Sequence, residues 1–559
     1  MKLVLAVYNS KYIHSSLAPW CLAAGMNTYA PEIPWAVKEG TINQPMEQLV
    51  GKIAKETPDI VGFSVYIWNK EITLQAVQVL KQQNKNCIVV LGGPEVSYNA
   101  KEILEQYLEV DYILSGEGEE SLPAFCKAYY EGRNPAKENI AGLCTREQPQ
   151  TPPAILQMEP PNPYLPEYFS ALKGRIAYIE TTRGCPYRCA FCLSGRCGPV
   201  RCFDLKNSLE KIEKLANSGA KTVKFVDRTF NANPARATAI WSWILQEYGK
   251  SLPTGVCFHF EIAGDILKEE HFTILEKFPV GAVQLEIGLQ SFHEPTLQAI
   301  HRKTNCEKLK NNIRRLMDMK NIHIHIDLIA GLPLETLEIF SHSFDTAFSL
   351  RPQMLQLGFL KLLHGADMRE KKGEYPCHFD TTPPYQVIDT PWISKEELEK
   401  IHKVEDATER LYNSGRFLRT VEYLLQSTQL SPFWLFYELA IEPHSTMGLD
   451  DYTAFIQNKA EKLPFVEKET LRDVLCIDRL ESNGTGKLPS CLQRKDPNIK
   501  KYRQVLKEKF PTKQGEKRGI AILYGQDSVA WVDYGQAAHA VTARRAATIL
   551  PLKEILEEI

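Results

Sequence analysis

The chain contains two series of short apolar runs, in which each run is separated from the next by about the length of one helix. Runs such as DIVGFSVY and CIVVLGG are typical of strands that are buried on both faces of a parallel sheet. Parallel strands need a crossover connection, usually a helix, so this pattern favours an α/β fold. The first series predicts five strands, at residues 2–8, 33–42, 60–66, 88–92 and 112–115, with helices around 16–28, 46–56, 70–84 and 99–108. We therefore predict an N-terminal doubly wound, Rossmann-like parallel sheet that binds ligands at the carboxyl ends of its strands.

The second series predicts a partial barrel. Its six strands lie at residues 175–180, 222–226, 257–262, 283–289, 323–330 and 355–362. Six βα units are two fewer than a closed TIM barrel requires, which favours an open (β/α)6 TIM-like barrel. We expect its chemistry at the carboxyl ends of these strands.

Two proline-bearing stretches divide the chain. Residues 146–166 contain seven prolines and are typical of an extended linker. The segment TTPPYQVIDTPW at 381–392 introduces a third region, in which 396–425 and 430–440 are predicted to be helical and 519–535 to form a hairpin. The predicted units are an N-terminal domain (1–145), a proline-rich linker (146–170), the partial barrel (171–380) and a mainly helical C-terminal domain (381–559) without a predicted role.

The composition of the 559 residues excludes several classes of protein. Lys and Arg number 66 against 68 Asp and Glu, and a net charge of −2 excludes a generally basic nucleic-acid binder. The start, MKLVLAVYNSKY, has too short an apolar run for a signal peptide, and no run approaches the roughly 18 apolar residues of a membrane span. We therefore expect a cytoplasmic protein with no membrane partner, in which the 14 cysteines stay reduced.

Three cysteines lie close together just after the first strand of the predicted barrel. Cys185, Cys189 and Cys192 have C-x3-C-x2-C spacing in ETTRGCPYRCAFCLSG. Three thiolates from one short loop can hold three corners of a [4Fe–4S] cluster and leave the fourth iron open. A structural zinc site would normally need a fourth protein ligand in matched spacing. Cys197 and Cys202 continue the run, either as ligands of a second cluster or as ordinary loop thiols.

This segment resembles the cluster-binding signature of the radical S-adenosylmethionine (SAM) enzymes, and a partial barrel is the fold of that family. The resemblance implies that Cys185, Cys189 and Cys192 ligate the cluster and that Phe191 lies near the SAM adenine. It also implies that SAM chelates the open iron and is cleaved to methionine and a 5′-deoxyadenosyl radical. An external electron donor of the flavodoxin or ferredoxin type would supply the electron.

Four further segments resemble the radical SAM pattern, most closely that of its coproporphyrinogen-dehydrogenase-like branch. They lie at 225–231 (FVDRTFN), 258–265 (FHFEIAGD), 285–304 (LEIGLQSFHEPTLQAIHRKT) and 324–336 (IHIDLIAGLPLET). The resemblance implies SAM contacts to the ribose from Gln290 and Asp327, to the ammonium or ribose from Glu261, to the methionine moiety from Asp227 and Arg228, and to the carboxylate from Arg302. A guanidinium fork suits a carboxylate better than an ammonium does.

Fused ahead of such a barrel, the first sheet resembles a cobalamin-binding domain. GGPEVS at 92–97 and SGEGEES at 115–121 follow its fourth and fifth strands, and their glycines let the backbone approach a corrin edge or the nucleotide tail. A flavin or nucleotide domain is the alternative, but the first turn, YNSKYIHSSLAP, contains no GxGxxG. The implied cobalamin contacts are Ser15, Ser64, Tyr66, Trp68, Gly92, Gly93, Pro94, Glu95, Gly116, Glu117, Gly118 and Glu119.

The first turn departs from one cobalamin pattern. Cobalamin domains that place a histidine on cobalt carry Asp-x-His-x-x-Gly, whereas here Tyr12 precedes His14 by two residues and Ser-Ser-Leu-Ala follows it. We therefore expect base-off cobalamin without a protein histidine ligand, and His14 as a polar contact or a surface residue. Ser64, Tyr66 and Trp68 would line the lower corrin face, with aromatic packing between domains as the alternative reading of the two rings.

The C-terminal region carries one strongly basic segment, at 494–518. It contains ten basic residues and three acidic residues, Asp496, Glu508 and Glu516. The basic residues are Arg494, Lys495, Lys500, Lys501, Arg503, Lys507, Lys509, Lys513, Lys517 and Arg518. Such a patch suits the phosphates of tRNA or another RNA, and a solvated helix face would have the same composition.

Taken together, the resemblances imply a cobalamin-dependent radical SAM methyltransferase. It would move a methyl group from SAM through methylcobalamin to an unactivated carbon of an unknown substrate, for which a tRNA nucleoside is one candidate. No side-chain base is required for this reaction, and the sequence identifies none. One alternative keeps both cofactors but catalyses a rearrangement, cyclisation or oxidation. Another is an RNA-binding protein with a structural iron–sulfur cluster.

Overall fold

The computed structural model describes residues 1–196, 198–442, 445–510 and 517–557. In its N-terminal part a six-stranded sheet alternates with five helices. The strands are β1 (Leu3–Asn9), β2 (Trp35–Thr41), β3 (Ile60–Ser64), β4 (Ile88–Gly92), β5 (Tyr112–Leu114) and β6 (Leu143–Cys144), and the helices are α1 (Ala18–Tyr29), α2 (Met46–Ala54), α3 (Lys70–Gln83), α4 (Ala100–Gln106) and α5 (Gly118–Tyr130). The sheet order is β2-β1-β3-β4-β5-β6, with β1–β5 parallel and β6 antiparallel to β5.

This order confirms the predicted doubly wound sheet. The chain direction across the sheet reverses between β1 and β3, the switch point at which such sheets bind ligands beyond the carboxyl ends of their strands. The five parallel strands were predicted, whereas β6 was not. A two-residue strand is too short to show a hydrophobic period.

The proline-rich segment is held against the edge of the first sheet. The Ala154 N–H donates to the Ser115 carbonyl over 2.9 Å, and the Glu117 N–H donates to the Ala154 carbonyl over 2.9 Å. Leu156 is buried nearby. The segment therefore forms one wall of the N-terminal domain, and the boundaries assigned to it from the sequence stay a prediction.

The second part is an open barrel of parallel strands. Its strands are β7 (Ala177–Ile179), β10 (Thr222–Phe225), β11 (Cys257–Ile262), β12 (Val283–Gln290), β13 (His323–Ala330) and β14 (Met354–Phe359), and a small ribbon is formed by β8 (Thr182–Arg183) and β9 (Arg201–Cys202). The helices are α6 (Pro166–Ala171), α7 (Leu205–Ala216), α8 (Pro234–Glu247), α9 (Glu269–Leu275), α10 (Glu294–Ala299), α11 (Cys306–Asp318), α12 (Leu337–Ser349) and α13 (Asp367–Glu370). Among the described strands β7 pairs only with β10 and β14 only with β13, so the predicted open barrel is confirmed.

Side-chain caps start the barrel helices close behind their strands. Asp204, Asn233, Asn305 and Thr336 each accept a hydrogen bond from a backbone N–H in the first turn of α7, α8, α11 and α12, respectively. Such caps satisfy N–H groups that have no partner within the helix. They keep the connections short, which brings the carboxyl ends of the strands together at one end of the barrel.

The C-terminal part is mainly helical. It contains a two-stranded ribbon of β15 (His378–Phe379) and β16 (Val387–Asp389), the helices α14 (Lys395–Thr408), α15 (Leu418–Thr428), α16 (Pro432–Leu439), α17 (Leu449–Ala460), α18 (Lys468–Ser482), α19 (Ile499–Lys509) and α20 (Leu552–Leu556), and a three-stranded antiparallel sheet of β17 (Arg518–Leu523), β18 (Ser528–Asp533) and β19 (Thr548–Pro551). The predicted hairpin corresponds to β17 and β18. The single helix predicted over 396–425 is wrong in its continuity, because a wide turn at Glu409–Asn413 and a left-handed Gly415 separate α14 from α15.

Aromatic rings join the barrel to the C-terminal helices. Phe344 of α12 lies 5.7 Å from Phe433 and 5.8 Å from Phe436 of α16, measured between ring centroids. A separate small core fills the space between α19, α20 and the β17–β18 pair. In the parts of the chain that are described, no helix combines the length and the apolar character needed to cross a membrane.

Candidate active site

The cysteine loop, of which residues 184–196 and 198–200 are described, leaves the barrel after β7 and is closed at its base by the β8–β9 ribbon. Within the loop Ala190 is anchored twice. Its N–H donates to the Ile300 carbonyl and its carbonyl accepts from the Met368 N–H, each over 3.0 Å. Gly184 has φ of +97°, and a Cβ there would lie 2.7 Å from the Pro199 carbonyl oxygen. The loop conformation is therefore fixed by the surrounding barrel and by a position that requires glycine.

The thiols of Cys185, Cys189 and Cys192 line one cavity of about 190 Å³ at the carboxyl ends of the barrel strands. The Arg302 guanidinium lies 3.8 Å from the Cys189 sulfur. Burial raises the pKa of the Cys189 thiol, and the nearby Arg302 charge opposes this shift. We call this space the cluster cavity.

The spread of these thiols favours a polynuclear cluster over a single ion. Sulfur ligands of one zinc ion, each about 2.3 Å from the metal, lie within about 4 Å of one another. Among the described residues only Glu286, His325 and Asp327 bring three ligand atoms within 4.8 Å of one another. At least two of the three cysteine sulfurs are therefore more than 4.8 Å apart, farther than two sulfur ligands of one zinc ion.

Six of the seven residues predicted to contact SAM line the cluster cavity. They are Phe191, Arg228, Glu261, Gln290, Arg302 and Asp327. They come from the cysteine loop, from the ends of successive strands and from the segment after α10. Burial raises the pKa of Glu261, and the Arg228 charge opposes this shift. The cavity therefore combines thiols, carboxylates, an amide and two guanidinium groups.

Asp227 lies apart from the other six residues, and its predicted SAM contact stays a prediction. It is fully buried and lies outside the cavity lining. Its carboxylate accepts hydrogen bonds from the Thr181 N–H (2.7 Å), the Thr182 N–H (3.1 Å) and the Thr181 hydroxyl (2.5 Å). Asp227 thereby fixes the chain between β7 and the cysteine loop, while the next residue, Arg228, faces the cavity.

Sequence reasoning missed several residues around the cluster cavity. Tyr187 packs under Arg302, whose guanidinium lies 5.1 Å from the ring centroid. Glu286 lines the cavity and lies 3.0 Å from the Lys224 ammonium and 2.9 Å from His259 Nε2. Burial alone would raise the pKa of Glu286, but His259 and Lys224 outweigh it and lower the pKa to about 2. The alternation of side chains along β10–β12 could have identified Lys224, His259 and Glu286, because residues that point into the barrel recur at every second position.

A second cavity, of about 420 Å³, lies at the carboxyl ends of the first sheet. Nine of the predicted cobalamin contacts line it, namely Ser64, Tyr66, Gly92, Gly93, Pro94, Gly116, Glu117, Gly118 and Glu119. A Cβ on Gly93 would lie 2.5 Å from the Val65 carbonyl oxygen, and one on Gly116 would overlap the Ala154 carbonyl oxygen. Both glycines also have positive φ, so only glycine permits these close approaches. We call this space the sheet cavity.

Three predicted cobalamin contacts lie outside the lining of the sheet cavity. The Ser15 hydroxyl donates to the Ile176 carbonyl over 2.8 Å, Trp68 stacks on Tyr66 with ring centroids 4.5 Å apart, and buried Glu95 accepts from the Tyr385 hydroxyl and lies 3.2 Å from the Lys70 ammonium. Ser15 and Glu95 thus join residues far apart in the chain, whereas Trp68 packs on a neighbour in its own turn.

His14 also lies outside that lining. Its Nδ1 is 2.7 Å from the Tyr178 hydroxyl, so it connects the first turn of the sheet to β7 of the barrel. Of the two further cysteines near the loop, Cys202 is exposed on β9, and Cys197 lies outside the described residues. Lys513 of the basic segment also lies outside them.

The two cavities adjoin. Arg228 and Ser194 line both, and the sheet cavity is completed on its barrel side by Glu180, Thr182, Arg183 and Val226. A ligand at the ends of the first sheet and a ligand above the thiols would therefore be neighbours.

Arg183 holds the two halves of this site together. Its guanidinium lies 3.3 Å from Glu117, 2.9 Å from Glu119 and 2.7 Å from Glu180. Burial opposes its charge, but the surrounding carboxylates, Glu180 foremost, outweigh this effect and raise the pKa of Arg183. Arg201 also pairs with Glu117. A buried arginine of this kind is well satisfied only with all its partners in place.

Three family models match consecutive parts of the chain. The model described as B12 binding domain matches residues 9–126, and the model described as Radical SAM superfamily matches 179–347. The model described as Protein of unknown function (DUF4080) matches 373–518. The first two matches coincide with the sheet and the barrel that carry the two cavities.

Two curated proteins illustrate the relatives of the chain. The cobalamin-dependent radical SAM methyltransferase TokK of Streptomyces tokunonensis is 24% identical over 412 residues, which cover 68% of this chain and 58% of TokK. The anaerobic magnesium-protoporphyrin IX monomethyl ester cyclase of Cereibacter sphaeroides is 24% identical over 323 residues, which cover 55% of this chain and 52% of the cyclase. The chain thus spans little more than half the length of these relatives.

Two solved structures share the fold. The cobalamin-dependent SAM radical enzyme OxsB, solved with aqua-cobalamin and SAM bound, superposes with a TM-score of 0.62 at 16% identity, covering 85% of this chain and 78% of OxsB. The radical SAM methyltransferase TsrM from Kitasatospora setae, solved with cobalamin and a [4Fe–4S] cluster, gives 0.54 at 19% identity, covering 66% of this chain and 75% of TsrM. These similarities confirm the predicted α/β architecture.

Proposed function

We propose that this chain, which belongs to the cobalamin-dependent radical SAM proteins, transfers a methyl group from SAM by way of cobalamin to an unactivated carbon of its substrate. The observation that carries the proposal is the shared wall between the sheet cavity and the cluster cavity, formed by Arg228 and Ser194. Methyl transfer of this kind needs both cofactors next to one substrate carbon, and adjoining cavities meet that requirement.

The residues of the cluster cavity fit an iron–sulfur cluster with one open iron. Three free thiols line the cavity, and its lining contains no histidine or further cysteine among the described residues. When bound there, the cluster would supply the electron that cleaves SAM, and the cobalamin would carry the methyl group. The anchored cysteine loop keeps the three ligands of such a cluster in position.

The remaining polar groups of the cluster cavity suit the charged ends of SAM. We assign the ribose hydroxyls to Gln290 and Asp327, the ammonium to Glu261 and the carboxylate to Arg302. Arg302 is preorganised, because its guanidinium donates to the Gly288 carbonyl and packs on the Tyr187 ring. Arg228 would contact the methionine moiety and face the second cofactor.

The sheet cavity suits a flat ligand that approaches the backbone closely. Gly93 and Gly116 leave no room for a side chain, and Ser64 and Tyr66 end the neighbouring strand. We assign these residues, with the other predicted contacts that line the cavity, to cobalamin. The packed segment around Ala154 closes one side of the cavity.

A second candidate function keeps both cofactors without net methylation. The similarity to an anaerobic cyclase favours it, since that protein's name describes ring closure rather than methyl transfer. The two candidates differ in their products. Methyl transfer forms S-adenosylhomocysteine, whereas cyclisation consumes SAM only through 5′-deoxyadenosine.

The test is anaerobic reconstitution of the full chain with iron, sulfide and hydroxocobalamin. Absorbance spectra report both cofactors, and dithionite reduction with SAM should then yield both S-adenosylhomocysteine and 5′-deoxyadenosine. Formation of 5′-deoxyadenosine alone would favour the second candidate, and no SAM cleavage would exclude both. Cys189→Ala should abolish SAM cleavage. Cys202→Ala is the control, because Cys202 is exposed on β9 at the base of the cysteine loop, and this variant should retain cleavage.

Once the reconstituted enzyme cleaves SAM, it can be used to screen for the substrate. Extracted RNA and small metabolites are incubated with SAM that carries a labelled methyl group, and products are examined for label. Label in RNA would identify a nucleoside substrate, and label in a metabolite would exclude RNA as the substrate of this reaction.

A further inference from the structure

The C-terminal part of the chain contains a groove of about 810 Å³ that lies apart from both cofactor cavities and shares no residue with them. It is lined by the β17–β18 sheet, by α19 and by the segments at 485–488 and 493–494. Six of its lining residues are basic, namely Arg472, Lys487, Arg494, Arg503, Lys507 and Arg518. No Asp or Glu is among the described residues that line this basic groove.

One face of α19 is turned toward the groove. Ile499, Arg503 and Lys507 line it, and they are spaced at i, i+4 and i+8, which places them along one side of a helix. Lys500 and Lys501 belong to the same helix but do not line the groove. The basic segment found in the sequence therefore divides into a groove face and an outer face.

Three of the groove cations are not neutralised within the protein. Lys487, Arg503 and Lys507 are exposed, and they form no ion pair with any residue that the structure describes. Arg494 does have a partner, since it pairs with exposed Glu469 over 2.7 Å. A chain with a net charge of −2 thus concentrates uncompensated positive charge in one groove.

Two further arginines are built into the wall of the groove. Arg472 is 3% exposed, and its guanidinium donates to the carbonyls of Ile522 (3.0 Å) and Leu492 (2.7 Å) and lies 3.3 Å from the buried Asp473 carboxylate. The Arg518 guanidinium lies 5.6 Å from the centroid of the Trp531 ring. The Nε atoms of Arg472 and Arg518 are buried without a hydrogen-bond partner in the described structure. Both arginines are therefore held in place by contacts with the groove wall.

We propose that the basic groove binds a chain of phosphate groups, either the backbone of RNA or the polyphosphate of a free nucleotide. Consecutive phosphates supply closely spaced negative charges, and guanidinium forks match their oxygens. Arg518, held against the Trp531 ring, and the unpaired cations at the rim give both a fixed donor and a long-range attraction. The site is independent of the cofactors, so binding by the full chain without a cluster tests it separately from the proposed methyl transfer.

The experiment measures binding of a fluorescent single-stranded oligouridylate to the full chain at several salt concentrations. The variant Arg503→Glu/Lys507→Glu should weaken binding about 10- to 100-fold or more. It should also reduce the magnitude of the salt slope by about 1.4, from two phosphate contacts at about 0.7 each. Lys500→Glu/Lys501→Glu is the matched control, with the same change in charge on the outer face of the same helix. We expect it to bind RNA nearly as well as the wild type.

Competition distinguishes the two sources of phosphate. If tripolyphosphate displaces the labelled RNA at a similar concentration of phosphate groups, a free polyphosphate is sufficient for binding. If only unlabelled RNA displaces it, the ligand is a nucleic acid. Either result supports the groove as a phosphate site. Equal losses in the two double variants, no binding of RNA or tripolyphosphate, or equally tight binding of polyglutamate would overturn the proposal.

Discussion

At the scale of single residues, Arg228 is where the two cavities meet. Its side chain lines both, and the residue before it points in the opposite direction, into the core. Neighbouring positions at the end of a strand face opposite sides, so a one-residue difference separates a group that meets ligands from one that supports a loop.

Arg228→Ala should keep the cluster but impair the use of SAM. We expect unchanged iron content and SAM cleavage lowered roughly 10- to 100-fold, because a hydrogen bond to a charged group contributes about 1.5–3 kcal/mol. The measurements are iron per chain and the rate of 5′-deoxyadenosine formation. Arg314→Ala removes an exposed arginine of α11 and serves as the control. Equal rates in the two variants would show that Arg228 does not contact SAM.

Asp227 can be tested with two substitutions that separate support from SAM binding. Asp227→Ala leaves the N–H groups of Thr181 and Thr182 buried and unpaired. We therefore expect the free energy of unfolding to fall by about 2–5 kcal/mol and the iron content per chain to decrease. Asp227→Asn retains an oxygen for these donors and an amide for the Thr181 hydroxyl, and it should restore most of both. Melting temperature and iron content are the readouts. A stable Asp227→Asn variant with a strongly raised KM for SAM would instead support the contact predicted from the sequence.

At the scale of elements, apolar runs predicted the strands well where burial is complete. The strands Ile88–Gly92, Cys257–Ile262 and His323–Ala330 begin and end where the sequence places them. The ribbon strands β8 and β9 were not predicted, because two residues carry no periodicity. The cysteine spacing and the strand-end polar groups could be recognised from the sequence. The Arg183 network could not, since it depends on how the sheet is docked on the barrel.

The loop between β13 and α12 contains a buried carboxyl group, Glu335, whose pKa differs between the folded and unfolded states. Glu335 accepts a hydrogen bond from the Ser291 hydroxyl over 2.5 Å, and burial raises the pKa of Glu335 to about 8. The unfolded chain releases this proton near the ordinary value of about 4.5. Between these two pH values the folded state holds one proton more than the unfolded state, so the free energy of unfolding falls as pH rises.

Glu335→Gln removes this dependence, because an amide stays neutral and can still accept from Ser291. We therefore expect the melting temperature of Glu335→Gln, relative to the wild type, to increase steadily from about pH 5 to pH 8. Glu338→Gln, an exposed position in the first turn of α12, is the control and should show no such trend. A difference between Glu335→Gln and wild type that stays constant over this range would contradict the protonated state.

At the scale of the whole molecule, the sheet cavity is not the property of one domain. The barrel contributes Arg183 and Arg228, the proline-rich segment contributes Ala154, and the segment after β14 packs behind Tyr98 of the lining. Tyr385, from the region after the barrel, donates to Glu95 beside the same cavity. A ligand bound there would therefore stabilise the arrangement of all these parts, by linkage between binding and folding.

A substitution of Gly365 tests whether the segment after β14 helps to shape the sheet cavity. Its φ is +85°, and a Cβ at this position would overlap the Tyr98 ring, which lines the sheet cavity. Gly365→Ala should therefore strain the backbone and push Tyr98 toward the space assigned to cobalamin. We expect a stability loss of about 1–3 kcal/mol and cobalamin affinity lowered about tenfold. Gly373→Ala is the matched control, because no atom lies within 4 Å of its added Cβ. Melting temperature and titration with hydroxocobalamin are measured for both variants. If Gly365→Ala matched Gly373→Ala in both, the segment after β14 would have no part in shaping the space assigned to cobalamin.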